Sequence, residues 1–334
     1  MNRITQHIVL TSTVCLVVVT APVQAFDPAR EDVRVFIADV AARHDLDADA
    51  LADLLGQAES RKPILEAISR PAERVIPWHE YRDRFMTEQR ILKGADFWQA
   101  HAERLDATKL QGVPPAVVVG ILGVETMFGE ITGRFRVIDA LATLAFDYPP
   151  RSRYFRGELE QFLLLAREEH VEPLSAQGSY AGAMGAPQFM PTSYRAYSVD
   201  GDGDGRRDLW GSWDDVIASV ANYLARHGWR AGEPIVVRAS LADDAVAKFD
   251  TSKLELNETV GSLRAKGVEF QTDLPTTAPA MLVVGDGKDG PEYRVGFTNF
   301  YAITRYNRST MYAMVVHDLG QAVANFVAEA EAGA

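Results

Sequence analysis

The chain has 334 residues, 47% hydrophobic and 24% charged, with 46 acidic against 34 basic side chains and a formal charge of −12. Such a composition belongs to a folded globular protein, long enough for one large domain or two to three small ones. The acidic balance lacks the basic face that nucleic-acid binding requires, and it says little about the substrate.

Arg3 is the only charged residue among the first 25, and an apolar stretch, IVLTSTVCLVVVTA, runs from Ile8 to Ala21. That stretch is short for a span of about 20 residues, and VQA ends at Ala25 with small residues before a cut. Residues 1–25 therefore read as a secretory signal peptide, which predicts export, with a bacterial periplasm as the simplest compartment. Removing it takes one of 34 basic residues and leaves 33 against 46 acidic ones, about −13. Cys15, the single cysteine, lies in that segment behind STV. A lipoprotein signal wants a small residue directly before its cysteine, so a lipid anchor is not expected. A mature chain without cysteine forms no disulfide, and its core must hold it together unaided. With no second long apolar run, the mature chain is expected to have no membrane span.

From Asp32 to about Leu110 the apolar residues recur at helical spacing, with Gly94 as an expected break and Trp78, Tyr81, Phe85 and Trp98 as expected core. GVPPAVVVGILGVETMFG follows; Pro114 and Pro115 suit a first helical turn, and Gly129 or Gly133 would close the helix. VIDALATLAFDY and RYFRGELEQFLLLAREEH are further helices. GSYAGAMGAPQF, residues 178–189, reads as a loop or packed turn, and WDDVIASVANYLARHGW, residues 213–229, as a helix ended by Gly228. After about Gly232, EPIVVRASL, VEFQTD, AMLVVGD and EYRVGF are short strand-like runs between turns. Helical spacing returns from Thr310. The fold class predicted is α+β, mostly α.

Within GILGVETMFG, Glu125 stands beside Val124, Met127 and Phe128. Desolvation in such a setting raises a carboxyl pKa, and a carboxylic acid still protonated near neutral pH is what glycosidic cleavage needs as its general acid. The competing reading puts Glu125 on a solvent edge or pairs it with Arg134 or Arg136. A second carboxylate does not stand out. Glu130 lies roughly 140° around a helix from Glu125, and neither Asp139 nor Asp147 is singled out, so a single-acid mechanism has to be considered.

DGDGDGRRDLWGSWDD spans Asp200 to Asp215. Asp200, Asp202 and Asp204 at positions one, three and five, Gly205 at six and the Arg206 carbonyl at seven open an EF-hand-like calcium loop. Position twelve is Gly211, so a longer loop would have to close at Asp214 or Asp215. The alternative is an acidic surface loop. Zinc is not expected, because the histidines form no cluster with ligand spacing.

GVETMFGEITGRFRVIDALATLAFDYPPRSRYFRGELEQFLLL, GSYAGAMGAPQFMPTSY, SVANYLARHGW, NFYAITRYNRSTMYAMVV and PWHEYRDRF together resemble the lytic murein transglycosylase B family, over nearly all of the mature chain. The resemblance implies a lysozyme-like core with an α-helical domain and a small inserted β domain. The corresponding division is 26–110 helical, 111–232 catalytic core with the loop at 200–215, 233–290 β-rich insertion, and 291–334 return to the core. It also implies non-hydrolytic cleavage of the β-1,4 bond between N-acetylmuramic acid and N-acetylglucosamine in peptidoglycan, leaving 1,6-anhydromuramyl ends, with Glu125 as the one acid and base. By the same resemblance Ser179, Gln188, Phe189, Tyr223, Tyr306, Asn307, Tyr312 and Tyr81 match cleft positions, and the calcium loop is lengthened to close at Asp215. The rival functions are a muramidase that hydrolyses the same bond and a non-catalytic wall-binding or calcium-binding protein.

Overall fold

The computed structural model describes residues 24–70 and 76–333. The segment 1–25 read as a signal peptide lies outside them except for Gln24 and Ala25, which form β1, and Cys15 is outside as well. Fourteen helices are present among the described residues: α1 Glu31–His44, α2 Ala48–Gly56, α3 Lys62–Ser69, α4 Trp78–Asp83, α5 Glu88–Ala100, α6 Ala102–Ala107, α7 Pro115–Thr126, α8 Val137–Phe146, α9 Ser152–Glu168, α10 Pro191–Tyr197, α11 Trp213–Arg226, α12 Val260–Ala265, α13 Thr298–Tyr306 and α14 Thr310–Ala332. Two short antiparallel pairs join β1 to β2 (Glu59–Ser60) and β3 (Phe135–Arg136) to β4 (Gln177–Gly178). A four-stranded antiparallel sheet contains β5 Val236–Ala239, β6 Glu258–Thr259, β7 Pro279–Gly287 and β8 Gly290–Gly296 in the order β5-β8-β7-β6.

The main core is organised by two apolar helices, α7 and α14. Ten of the twelve residues of α7 are buried, from Pro115 to Gly123 and Thr126. It runs against α14 so closely that a Cβ on Gly120 would lie 2.2 Å from the Val316 carbonyl oxygen and one on Gly320 would lie 2.0 Å from that of Ala116. Only glycine permits this approach. The pairs 116 with 320 and 120 with 316 define an antiparallel register, which brings Tyr312 opposite Glu125. Gly94, expected as a break, sits unbroken inside α5. Its lack of a side chain instead admits Val323 of α14, 2.6 Å from where a Cβ would stand.

The first three helices rest on α8 and α9. Phe26 and Phe36 meet the Phe146 ring edge-on at 5.7 and 5.6 Å, and Arg30 donates to Asp147 at 2.6 Å. One apolar core runs through all of these elements, from Phe26 to Val327. The sheet divides its faces between two cores. Met281 and Val283 join the main one, while Leu282 and Val295 join Val260, Leu263, Val268 and Phe270 in a smaller core of their own.

Two sequence expectations for this region need correction. VEFQTD forms no named strand; only Glu269 bridges, to Ser240, and the strand paired to the start of β7 is Glu258–Thr259. The boundary at 290 cuts the β7–β8 hairpin, and the sheet closes at Gly296. The turn of Gly287 to Gly290 reads as a stop in sequence, but the ladder resumes straight after it.

No single described helix is long and apolar enough to cross a membrane. The segments Ala102–Gln111 and Pro115–Thr126 pass that test only together, bent by 115°.

Candidate active site

Glu125 occupies the last turn of α7. The Tyr312 hydroxyl donates to its Oε1 at 2.7 Å. Part of the residue remains accessible, as reaching a substrate requires, yet burial of the carboxyl dominates and pushes its pKa up to about 7 against the opposing pull of the Tyr312 bond. The alternative pairings are absent. Arg136 is engaged by Asp139 at 2.8 Å and Arg134 lies over the Phe135 ring. The other nearby carboxylates are also engaged elsewhere. Glu130 pairs with Lys93, Asp139 with Arg61 and Arg136, and Asp147 with Arg30. Glu125 thus stands as a lone, poorly solvated acid.

The helix is closed by side chains the sequence did not flag. Expected to end at Gly129 or Gly133, it ends instead at Met127, whose φ is 52°, followed by Phe128 at 60° and Gly129 at 86°. Three successive residues in the left-handed region make a sharp, strained turn directly after the acid. Thr126, 1% exposed, holds it: its hydroxyl donates to the Ala186 carbonyl at 2.8 Å and accepts from the Gly129 N–H at 3.0 Å. Nothing in the local pattern around Thr126 signals a bond to a residue 60 positions away.

The loop that Thr126 reaches carries three of the expected site residues, Ser179, Gln188 and Phe189. The Ser179 hydroxyl oxygen accepts from the N–H groups of Ala181 and Ala183 at 3.2 and 3.0 Å. Gln188, itself left-handed at φ 53°, donates through Nε2 to the carbonyls of Thr132 and Gly185 at 3.0 and 2.9 Å, which leaves Oε1 as its open group. Both side chains therefore shape the loop.

An aromatic group backs the acid. Tyr306 donates to the Pro187 carbonyl at 2.6 Å and lies parallel to Tyr312, with centroids 6.4 Å apart. Phe189 and Tyr223 meet Tyr306 at 5.7 and 4.8 Å, and Tyr223 donates to the Arg305 carbonyl at 2.7 Å. Phe189 is 2% and Tyr223 7% exposed. With so little surface, these two brace Tyr306. Burial and the Glu125 charge together hold the phenols of Tyr306 and Tyr312 well above their ordinary pKa, so both stay hydrogen-bond donors. Tyr81 on α4 feels the same charge behind its own burial. Asn307 is exposed just beyond α13.

Asp200, Asp202 and Asp204 place one carboxylate oxygen each within 4.8 Å of one another. Backbone N–H groups fold the loop onto them: Gly203 and Gly205 donate to Asp200, and Arg206 to Asp204. The two closing candidates separate. Asp214 points away to Arg104 at 2.5 Å, whereas Asp215, 1% exposed, accepts from Gly201 and Asp208 at 2.7 and 2.6 Å inside the loop. An all-oxygen, carboxylate-rich donor set of this kind fits a hard cation such as calcium. The loop also touches the active site. Trp213, the first residue of α11, lies 3.0 Å from where a Cβ on Gly129 would stand.

A family model described as Transglycosylase SLT domain matches residues 28–321. The chain belongs to this family. It is a lytic murein transglycosylase, an enzyme acting on peptidoglycan. It is 42% identical over 299 residues to the membrane-bound lytic murein transglycosylase B of Escherichia coli K12, covering 86% of this chain and 81% of that protein. The structure superposes on lytic transglycosylase SltB1 of Pseudomonas aeruginosa with a TM-score of 0.87 and 47% identity, over 90% of this chain and 99% of that one. With Escherichia coli Slt35, solved in complex with calcium, the TM-score is 0.81 at 40% identity, over 90% and 96% of the chains. The transglycosylase thus has the lysozyme-like, mostly helical α+β fold.

Proposed function

We propose that Glu125 alone supplies both proton transfers of the transglycosylase. Protonated, it gives its proton to the glycosidic oxygen between N-acetylmuramic acid and N-acetylglucosamine as the C1–O bond breaks. The resulting carboxylate then takes the proton of the muramyl C6 hydroxyl as that oxygen attacks C1. The 1,6-anhydro ring closes, no water is consumed, and the acid returns to its starting state. The observation that carries this reading is the lone carboxyl with a pKa of about 7. Burial favours the acid and the Tyr312 bond favours the carboxylate, so both forms needed in one cycle lie close in energy. In support, Pseudomonas aeruginosa SltB3, 32% identical and matched over 87% of this chain and 78% of that one with a TM-score of 0.76, has been solved with a NAG-anhNAM-pentapeptide. Tyr81, Tyr306, Asn307, the Ser179 hydroxyl and the Gln188 Oε1 are read as the sugar-facing groups, aromatic faces suiting C–H-rich sugar rings.

The pH profile tests the assignment. Solubilisation of purified peptidoglycan is expected to fall as pH rises through about 7, where the acid is lost. Tyr312→Phe removes the bond that favours the carboxylate, so this limb should move to higher pH. A rate unchanged from about pH 5 to pH 9 would rule out Glu125 as the acid.

We further infer that Asp200, Asp202, Asp204, the Arg206 carbonyl and Asp215 hold a structural calcium ion. The convergence of the Asp200, Asp202 and Asp204 carboxylates supports this, while Asp215 stands outside that trio and closes the loop by accepting from the Gly201 and Asp208 N–H groups. Bound at about a hundred times its Kd, such an ion adds roughly 2.7 kcal/mol. A chelator should therefore lower the melting temperature by several degrees in the wild type and in Asp214→Asn, and should have no effect in Asp215→Asn. An unchanged wild-type melting temperature would remove the ion from the account.

The reading of residues 1–25 as a cleaved export signal places the enzyme in the periplasm with its substrate, peptidoglycan glycan strands. Val14 before Cys15 supports a form without a lipid anchor.

A further inference from the structure

We propose that the four-stranded insertion is a positioning device for the active site, gripping α4 so that Tyr81 is held over Glu125. The proposal rests on the reading of Tyr81 as a cleft residue beside the catalytic acid.

Six residues are too few for a helix to be stable on its own, and α4 has no side-chain cap at its start. What holds it comes from the insertion and from one carboxylate on α14. Trp78, 1% exposed, lies flat against the backbone of β7, where a Cβ on Gly285 would come within 2.9 Å of the indole. Its N–H donates to Glu292 of β8 at 3.0 Å, and the Arg294 guanidinium, also from β8, sits 5.4 Å from its ring centroid. One residue on, the His79 ring bonds the Asp286 carbonyl at 3.0 Å. Arg82 reaches Asp318 at 3.2 Å, and the same carboxylate takes Arg294 in a two-toothed pair at 2.6 and 2.9 Å. The insertion and α4 are thus fastened to the same point on α14, two turns beyond Tyr312.

The jaw is stiff. Its far face carries the smaller core around Leu263, Phe270, Leu282 and Val295, so the sheet does not rely on α4 for its own shape. Tyr81 follows Trp78 by three residues and shares its side of α4. It stacks on Trp78 at 6.4 Å, packs on Phe85 at 5.1 Å and lies against the main core, where the Glu125 charge reaches its phenol. A loosened grip would let water reach the carboxyl, favour its ionised form, and move the alkaline limb of activity downward in pH.

The test uses Trp78→Phe, which loses the N–H, and Glu292→Ala at an exposed acceptor. Each is combined with Tyr81→Ala. Each single variant is expected to lower kcat roughly fivefold to tenfold and shift the alkaline limb to lower pH; Glu292→Ala should do so with little change in melting temperature, whereas Trp78→Phe also gives up buried indole packing and melts lower. Glu292→Gln, which keeps an acceptor for the indole, should restore the wild-type profile. In the Tyr81→Ala background neither substitution should cost anything more. Unchanged kcat and limb in both single variants, or losses that simply add to that of Tyr81→Ala, would overturn the proposal while leaving Glu125 in place. An unaffected Tyr81→Ala would overturn it at its premise.

Discussion

Glu125→Gln is expected to lower the rate of peptidoglycan cleavage by about a thousandfold or more while raising the melting temperature at about pH 8. The loss follows from one residue serving both proton transfers. The gain follows from linkage. An unfolded glutamate titrates at the ordinary value of 4.5, and the folded one at about 7. Between those values the folded chain binds more protons than the unfolded chain, so wild-type stability falls as pH rises through the window. Above about 7 the whole penalty is present, at most about 3 kcal/mol for a shift of this size, less for a carboxyl that water partly reaches. Glutamine carries no charge and escapes it. Calorimetry across pH checks this: the stability difference should be widest above pH 7 and vanish toward about pH 4. A variant that matches the wild type throughout would mean Glu125 is well solvated.

Thr126→Val should cost about 2–4 kcal/mol of stability and close to a hundredfold in turnover, although its shape hardly changes. Valine leaves the Ala186 carbonyl and the Gly129 N–H without their partner in a site that is 1% exposed. Those two bonds hold the left-handed run of Met127, Phe128 and Gly129 against the loop that carries Ala186. Released, the turn relaxes and the acid loses its aim. Thr126→Ser keeps the hydroxyl and should recover most of the activity. Melting curves with steady-state rates on the three proteins decide it, and a fully active valine variant would show that the turn holds itself.

How much of this was legible depended on how local each signal was. A carboxylate in a run of Val, Ile, Leu, Met and Phe announces itself, and so did the helices and the alternating aspartates. The register that seats Tyr312 on Glu125 was not legible, because it is set by glycines 200 residues apart in sequence. Gly94 read as a break for the same reason: close approach to another helix and chain termination use the same residue. Asp214 and Asp215 are indistinguishable by spacing. They separate only because Ser212 caps α11 and turns one toward Arg104 and the other into the loop. The burial of Phe189 and Tyr223 behind Tyr306 was likewise not legible, a matter of depth that neighbouring residues do not encode.

The single-acid mechanism is decided by mass spectrometry of the fragments released from purified peptidoglycan by the enzyme and by its Glu125→Gln variant. The account predicts 1,6-anhydromuramyl ends from the enzyme and none from the variant. Reducing ends one water heavier, or anhydro ends that persist in the variant, would contradict it.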